Sequence, residues 1–373
     1  MYRVGVNAHL LSGEFGYRRA GIHHYIAQVL RHLPSDSRLN YVIYTGFDEE
    51  WARPDFSRVA PPWNTENRWL RILWEQTVWP LEARRDELDL LHSMAFVTPL
   101  WQPAPTMLTV YDLSFLHFPE RFPLLQRLYL RSQTLRSCRS ARRVVTISAS
   151  GRDDVHRHFG VPLERIDVAQ PGLEERFRPI AADEVARFRE RQQLPEQFLL
   201  HVGTLQPRKN IPTLLEALAQ LERPDVPLVL VGGRGWQYEE IFERIGTLGL
   251  HKQVQLTGYV SDEELPLWYN AASALIFPSV YEGFGLPIVE AMACGTPVIA
   301  ADTPSSNEAA ADAALLFAPR DVPSLVNHLL TVLDNKEQAA TMRERGLAHA
   351  GQFTWARAGA NMAQAFLSAL NTE

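Results

Sequence analysis

Cysteine is almost missing from this chain. Among 373 residues only Cys138 and Cys294 carry thiols, too few for a disulfide framework or a thiolate metal site, so both are expected as buried, unreactive side chains. Lysine is scarce too: of 37 cationic residues only Lys209, Lys252 and Lys336 are lysines, and the rest are arginine. Positive charge is not in excess, since the formal net charge is −6. That argues against nucleic acid as a partner, because affinity for a phosphate backbone comes from a surplus of Lys and Arg. No uncharged apolar run reaches eighteen residues, and the opening YRVGVNAHLL lacks the basic start and apolar middle of a secretory leader. A cytoplasmic location is the expectation. D-x-D occurs nowhere, and the histidines, the His23-His24 pair included, have no third ligand at metal spacing, so no metal and no cofactor are expected. A G-x-G-x-x-G fingerprint is also missing. GGRGW, from Gly232 to Trp236, lacks its spacing and the acidic residue about twenty positions on, which disfavours a nicotinamide enzyme and leaves a turn as the reading.

What is present is ordinary globular composition, 46% hydrophobic and 21% charged, at a length that suits two cores. In the first half, short apolar runs (YRVGVNAHLL, NYVIYTG, DLLHS, APTMLTVYD, RRVVTIS, RIDVAQPG) alternate with helical patterns, one of them from about Ile22 to Leu33. The second half repeats the plan with FLLHVGT, VPLVLVGG, QVQLTGY, ASALIFPS and TPVIAAD. Runs that are apolar throughout fit parallel strands covered on both faces. The expected fold is α/β, two Rossmann-like doubly wound domains facing a central cleft. The first is expected over 1–175 and the second over 190–350. A C-terminal helix over 351–373 should pack back toward the first domain.

Open parallel sheets bind ligands beyond the carboxyl ends of their strands, so residues just after strands are the candidates. FLLHVGT runs into LQPRKNIPTLLEALAQL, placing Arg208 and Lys209 where a helix begins. Two cations beside unpaired N–H groups suit a phosphate, although an Arg-Lys pair is also an ordinary solvated one. A lysine in a chain that otherwise uses arginine points to a need for a compact ammonium. ASALIFPS runs into VYEGFGLPIVEAMACGTPVIA. There Glu282 precedes the bend and Glu290 is expected in the first turn of the helix, so the two carboxylates address different parts of an elongated ligand. Taken singly, they read as a surface charge and a helix-dipole complement. The amides of Phe284, Gly285 and Leu286 would be left without intrahelical partners. In the first half, Gly13, Gly16 and Gly21 form a loop that either cradles phosphate or is simply mobile. Tyr111, Asp112 and Ser148 follow strands, with Asp112 readable as a helix cap.

HVGTLQPRKN, the E-x7-E stretch from Glu282 to Glu290, AGIHHYI, TVYDLSFLHFPERFP, TISASGRDDV and VAQPGLEERFRP together resemble the retaining family 4 glycosyltransferases with the GT-B fold. The mannosyltransferase B-like subgroup is the best match. The resemblance implies transfer of a hexose, mannose favoured, from a nucleotide-diphosphate sugar to a glycan or lipid-linked acceptor in polysaccharide or glycoconjugate assembly. GDP-mannose is the favoured donor, with a UDP-sugar the alternative. It implies that Glu290 holds the ribose, that Glu282 and the amides of Phe284, Gly285 and Leu286 hold the sugar, and that Arg208 and Lys209 neutralise the diphosphate. Gly21 would approach the phosphates and Val260 the base. Arg208, Lys209, Glu282 and Asp112 are the candidate catalytic residues, with Tyr111, Asp112 and Ser148 on the acceptor side. The chain departs from many relatives in having Tyr111 where they have histidine, and in reading Gly21-Ile22-His23. Front-face attack without a covalent intermediate is expected, and a sugar trapped on Asp112 or Glu282 would overturn it. A nucleotide-sugar epimerase and a non-catalytic nucleotide-sugar sensor are the rival readings. Seven arginines between Arg121 and Arg143 read as a solvated helix face or as a dock for anionic lipid at the inner face of a membrane.

Overall fold

Strands that are apolar on both sides are stable only between two layers of helices, and the chain builds two such sandwiches. The computed structural model describes residues 1–11, 21–46, 53–65 and 67–371. Gly13 and Gly16 of the first glycine loop lie outside the described residues, and Gly21 lies within them. One compact unit is Met1–Gly172 together with Thr354–Glu373, and the other is Leu173–Phe353.

The first unit holds β1 (Tyr2–Asn7), β2 (Leu39–Tyr44), β3 (Phe56–Val59), β4 (Leu90–Ser93), β5 (Thr106–Val110), β6 (Arg143–Thr146) and β7 (Ile166–Val168). They form a parallel sheet in the order β3-β2-β1-β4-β5-β6-β7. The second unit holds β8 (Leu199–Val202), β9 (Leu228–Val231), β10 (Val254–Gly258), β11 (Ala274–Phe277), β12 (Val298–Ala301) and β13 (Leu315–Phe317), again parallel, in the order β10-β9-β8-β11-β12-β13. Strand order reverses beside β1 in one sheet and beside β8 in the other. Crevices at the carboxyl ends of β1/β4 and β8/β11 are therefore where each doubly wound unit offers a binding site. β3 departs from the apolar pattern because it is a sheet edge with Ser57 and Arg58 exposed, and β10, an edge of the second sheet, likewise exposes Gln255 and Leu256. β13 is apolar but has only three residues.

The polar stretch between the two expected domains is itself structured. The helix Ala182–Arg191 buries Val185 and Phe188, and the Phe188 ring meets Trp268 edge-on with centroids 5.0 Å apart. The helix Trp355–Asn371 belongs to the first unit, where it lies on the helix Ile22–His32 and buries Met362 and Phe366. The arginine-rich segment is the helix Leu124–Ser140 and its exit, and the structure corrects its reading as one basic face. Arg136 donates to the carbonyls of Thr98 and Pro99, Arg139 to Phe159 and Arg142 to Ala369, while Arg143 forks onto Asp167 at 2.6 and 2.8 Å. Only the N-terminal part, with Arg127 and Arg131 beside the exposed Leu124, Leu125 and Leu128, presents a basic and apolar surface.

Candidate active site

Loops that leave β8 and β11 build the site of the second unit. After β8 the chain makes one turn of 3-10 helix, Pro207–Lys209, passes through Asn210 in the left-handed region and enters the helix Ile211–Gln220. After β11 it runs through Tyr281 to Phe284 and enters the helix Leu286–Ala293 at Gly285. The loops are bolted together: Val280 N–H donates to the Arg208 carbonyl at 2.9 Å, and Arg208 Nη1 donates to the Tyr281 carbonyl at 3.1 Å. Glu282 lies between the two cations. Its Oε1 is 2.6 Å from Lys209 Nζ, and its Oε2 is ion-paired with Arg208. Phe284 is buried against Phe353, and the N–H groups of Phe284, Gly285 and Leu286 have no protein acceptor among the described residues. Amides freed at a helix start, next to two cations that share one carboxylate, make a net-positive seat for a diphosphate and for sugar hydroxyls.

The scarcity of lysine finds its reason here. Lys209 is 6% exposed, its Nζ sits 5.0 Å from the Phe277 ring centroid, and a Cβ on Gly203 would come within 3.0 Å of its Cε. A forked guanidinium would not fit so narrow a slot. Burial lowers the Lys209 ammonium from its ordinary pKa, with Glu282 pulling it back up. Behind it, burial and then the Lys209 charge push the buried His201 down to about 4, so this imidazole is neutral, with Nδ1 3.0 Å from the Ile276 carbonyl. Burial would raise the Glu282 carboxyl, but Lys209 and Arg208 outweigh it and hold the group at about 2. A carboxyl whose folded pKa is depressed adds stability above its ordinary value of 4.5, and that stability is lost as pH falls from there toward 2. Acid titration of unfolding should therefore lose on the order of 3 kcal/mol over that window. Glu282→Gln should flatten that limb, and an unchanged limb in the variant would rule the pair out as its cause.

Glu290 stands in the second turn of its helix, not the first, because the helix begins at Leu286. Dipole complementarity does not account for it; a partner does. Tyr269, from the helix Leu265–Ala271, donates its hydroxyl to Glu290 Oε2 at 2.8 Å, and burial followed by the Glu290 charge holds that phenol far above its usual range. One carboxylate oxygen is thus fixed by Tyr269. Val260, half-buried, follows β10. Sequence reasoning missed Tyr269, His201 and Phe277. Of these, the histidine at the end of the strand run FLLHVGT was the one visible signal.

In the first unit the candidates divide. Asp112 follows β5, is half-buried, and accepts from the Ser114 N–H at 2.8 Å, so it turns the chain into the short helix Ser114–His117. Tyr111 is corrected from an acceptor-side residue to a core residue. Its ring packs on Tyr25 and Phe96, and its hydroxyl donates to the Met94 carbonyl at 2.7 Å. Ser148 is corrected likewise: fully buried, it caps the helix Ala149–Phe159 by accepting from the Gly151 N–H at 2.9 Å. Gly21, with φ of 66°, starts the helix Ile22–His32. An open feature of this unit lies elsewhere. A cavity of about 220 Å³ at the carboxyl ends of β1 and β4 is lined by Leu10, Phe96, Arg71, Glu75, Gln126 and Tyr129 among others. Glu75 accepts from Asn7 at 3.2 Å, and burial raises its pKa against the pull of Arg71.

Set beside known proteins, residues 19–177 match the profile of Glycosyltransferase Family 4, and residues 183–349 match that of Glycosyl transferases group 1. O-antigen chain mannosyltransferase B of Escherichia coli is 34% identical over 278 residues, which is 73% of this chain and 73% of that protein. The chain belongs to the family 4 glycosyltransferases. Its fold is the GT-B pair of Rossmann-like units, shared with sucrose-phosphate synthase of Thermosynechococcus elongatus (TM-score 0.77, 21% identity, 98% of both chains). HepE of Anabaena, solved in complex with UDP, shares it too (TM-score 0.73, 20% identity, 99% of this chain and 100% of that one). This glycosyltransferase is accordingly read as an enzyme that takes a nucleotide sugar and a glycan acceptor.

Proposed function

We propose that the enzyme transfers mannose from GDP-mannose to a growing polysaccharide or lipid-linked glycan, with retention at the anomeric carbon and without a metal ion. The observation that carries the donor side is the Arg208–Glu282–Lys209 cluster beside the free amides at Gly285. A diphosphate seated there exchanges Glu282 for its own oxygens on Lys209 and Arg208, and the released carboxylate takes hydroxyls of the hexose. Glu290, steadied by Tyr269, accepts from the ribose, and Val260 lies by the base. In the transfer the bond from the anomeric carbon to the phosphate oxygen breaks and a bond to the acceptor oxygen forms on the same face, while the departing phosphate takes the acceptor proton. Negative charge grows on that phosphate in the transition state, where cations already in place contribute most. Support for mannose comes from the name of the Escherichia coli relative, and the complex of HepE with UDP keeps a UDP-sugar as the alternative donor.

The acceptor side is assigned to the cavity of the first unit, with Glu75 as a hydroxyl acceptor and Tyr129 and Phe96 as apolar walls. Thermal shift against GDP-mannose, UDP-glucose and ADP-glucose tests the donor, because a ligand bound to the folded state alone raises Tm. GDP-mannose is expected to give the largest rise, and a larger rise with UDP-glucose would move the assignment. In a transfer assay to octyl α-mannoside, Glu75→Gln should raise the acceptor KM several-fold while leaving the GDP-mannose shift unchanged.

No helix among the described residues is long and apolar enough to cross a membrane. We propose a peripheral contact with the inner face through the start of the helix Leu124–Ser140. There Leu125 is 82% exposed beside Arg127 and Arg131, and Trp69 of the helix Arg68–Gln76, which lines the same cavity, is 74% exposed. Cosedimentation with phosphatidylglycerol vesicles should be modest at low salt and fall as salt rises. Its absence at low salt would remove the contact.

A further inference from the structure

The helix Ala149–Phe159 carries Asp154 and His158 one turn apart, so both side chains lie on one face in its last two turns. A third group comes from another element: His117 ends the short helix Ser114–His117, and its Nε2 lies 3.1 Å from Asp154 Oδ2. The His117 and His158 rings meet edge-on with centroids 5.3 Å apart. One ligand atom from each of the three residues lies within 4.8 Å of the other two. No spacing in the sequence announces this, because 37 positions separate His117 from Asp154.

We propose that His117, Asp154 and His158 form a binding site for a late first-row divalent ion such as zinc, nickel or copper. Two imidazoles and a carboxylate suit these ions, and the set is too nitrogen-rich for magnesium or calcium. Three ligand atoms 4.8 Å apart at most put a central ion at most roughly 2.8 Å from each, so shifts of under about 1 Å reach the usual bond length of about 2.0–2.1 Å. The end of the helix Ala149–Phe159 adds a favourable field, since its last carbonyls carry partial negative charge. Arg157, 3.6 Å from Asp154, opposes the ion, but its side chain is 71% exposed and has water to turn into. His117 and His158 are exposed residues, so solvent reaches the site. The ion is structural: His117 closes the segment that begins at Asp112 and is anchored inside by Leu113 and Phe115, so coordination clamps that segment to the helix Ala149–Phe159.

The test uses the full chain without a histidine tag, stripped with EDTA and then titrated with cobalt(II), a visible-absorbing stand-in for zinc. Saturable visible absorption at one ion per chain, displaced by zinc, is expected, together with a rise in Tm on adding zinc. His158→Gln, at an exposed position, should abolish the absorption and the zinc-dependent rise while leaving the Tm of the stripped protein in place, and Asp154→Asn, at a side chain 15% exposed and paired with His117, should abolish both as well while also lowering the stripped Tm. No saturable absorption, or absorption that survives in both variants, would overturn the site. The readout needs no transfer activity, so failure of the proposed mannosyl transfer leaves this result standing and the reverse holds too.

Discussion

Lys209→Ala is expected to lower turnover at least tenfold and to destabilise the second unit at the same time. A tenfold loss corresponds to about 1.4 kcal/mol of transition-state stabilisation, a low figure for a preorganised cation beside a leaving diphosphate. Stability falls for a separate reason. Lys209 and Arg208 together hold Glu282 ionised at about 2, and removing one of them leaves a 12% exposed carboxylate with a single counter-charge. Breaking a buried ion pair costs about 3–5 kcal/mol, and Arg208 limits the loss here to the lower part of that range. The two effects separate in one experiment. Glu282→Gln in the Lys209→Ala background should restore much of the Tm, because the stranded charge is gone, and restore none of the turnover, because the diphosphate still lacks its cation. Recovery of turnover along with Tm would mean that Lys209 only holds the loop. Lys209→Arg should also fail to restore the rate, because the guanidinium meets the backbone at Gly203 and the Phe277 ring in a slot shaped for an ammonium.

The sequence exposes this site because its parts are contiguous. Arg208 and Lys209 are neighbours, and Glu282 to Glu290 spans a single loop and helix start, so a reading by strand and turn reaches them all. What it misses depends on packing. Tyr269 meets Glu290 from a helix 21 positions away, and nothing in LPLWYNA marks one aromatic ring as different from its neighbour. Tyr111 fails in the opposite direction. Its position after β5 suggested a residue open to ligand, but the ring turns into the core toward Tyr25 and the hydroxyl is taken by a backbone carbonyl. Ser148 fails because a residue after a strand is equally a residue before a helix, and capping claimed its hydroxyl. Glu290 was placed one turn early although the helix start was read correctly, since four residues complete the first turn before it. The arginines of 121–143 show the limit of composition. Charge count suggested one basic face, whereas Arg136, Arg139 and Arg142 are fastened to carbonyls of the first unit and Arg143 to Asp167.

Gly232→Ala should be the most damaging single-methyl change in the second unit. Gly232 has φ of 143°, and a Cβ there would lie 2.2 Å from the Gly203 carbonyl oxygen. Gly203, with φ of 153°, presents its own bare face to the Lys209 stem, and the Phe277 ring lies on from the Lys209 ammonium. The loops after β9 and β8 thus pack backbone on backbone, and the second of them forms one wall of the lysine slot. Backbone strain of about 1–3 kcal/mol and overpacking of about 1–3 kcal/mol add, because neither loop can retreat. The Gly203 N–H is bonded to the Val231 carbonyl at 2.8 Å and the Leu205 N–H to the Gly233 carbonyl at 2.9 Å. The substitution therefore reaches the active site through Gly203, and the GDP-mannose thermal shift should shrink along with the loss in Tm. Gly233→Ala supplies the control one residue away. A Cβ there meets nothing within 4 Å, and its φ lies outside the left-handed region, so Tm and donor shift should stay near wild type. Equal effects at the two glycines would mean that loop composition, not the approach of Gly232 to Gly203, governs the site.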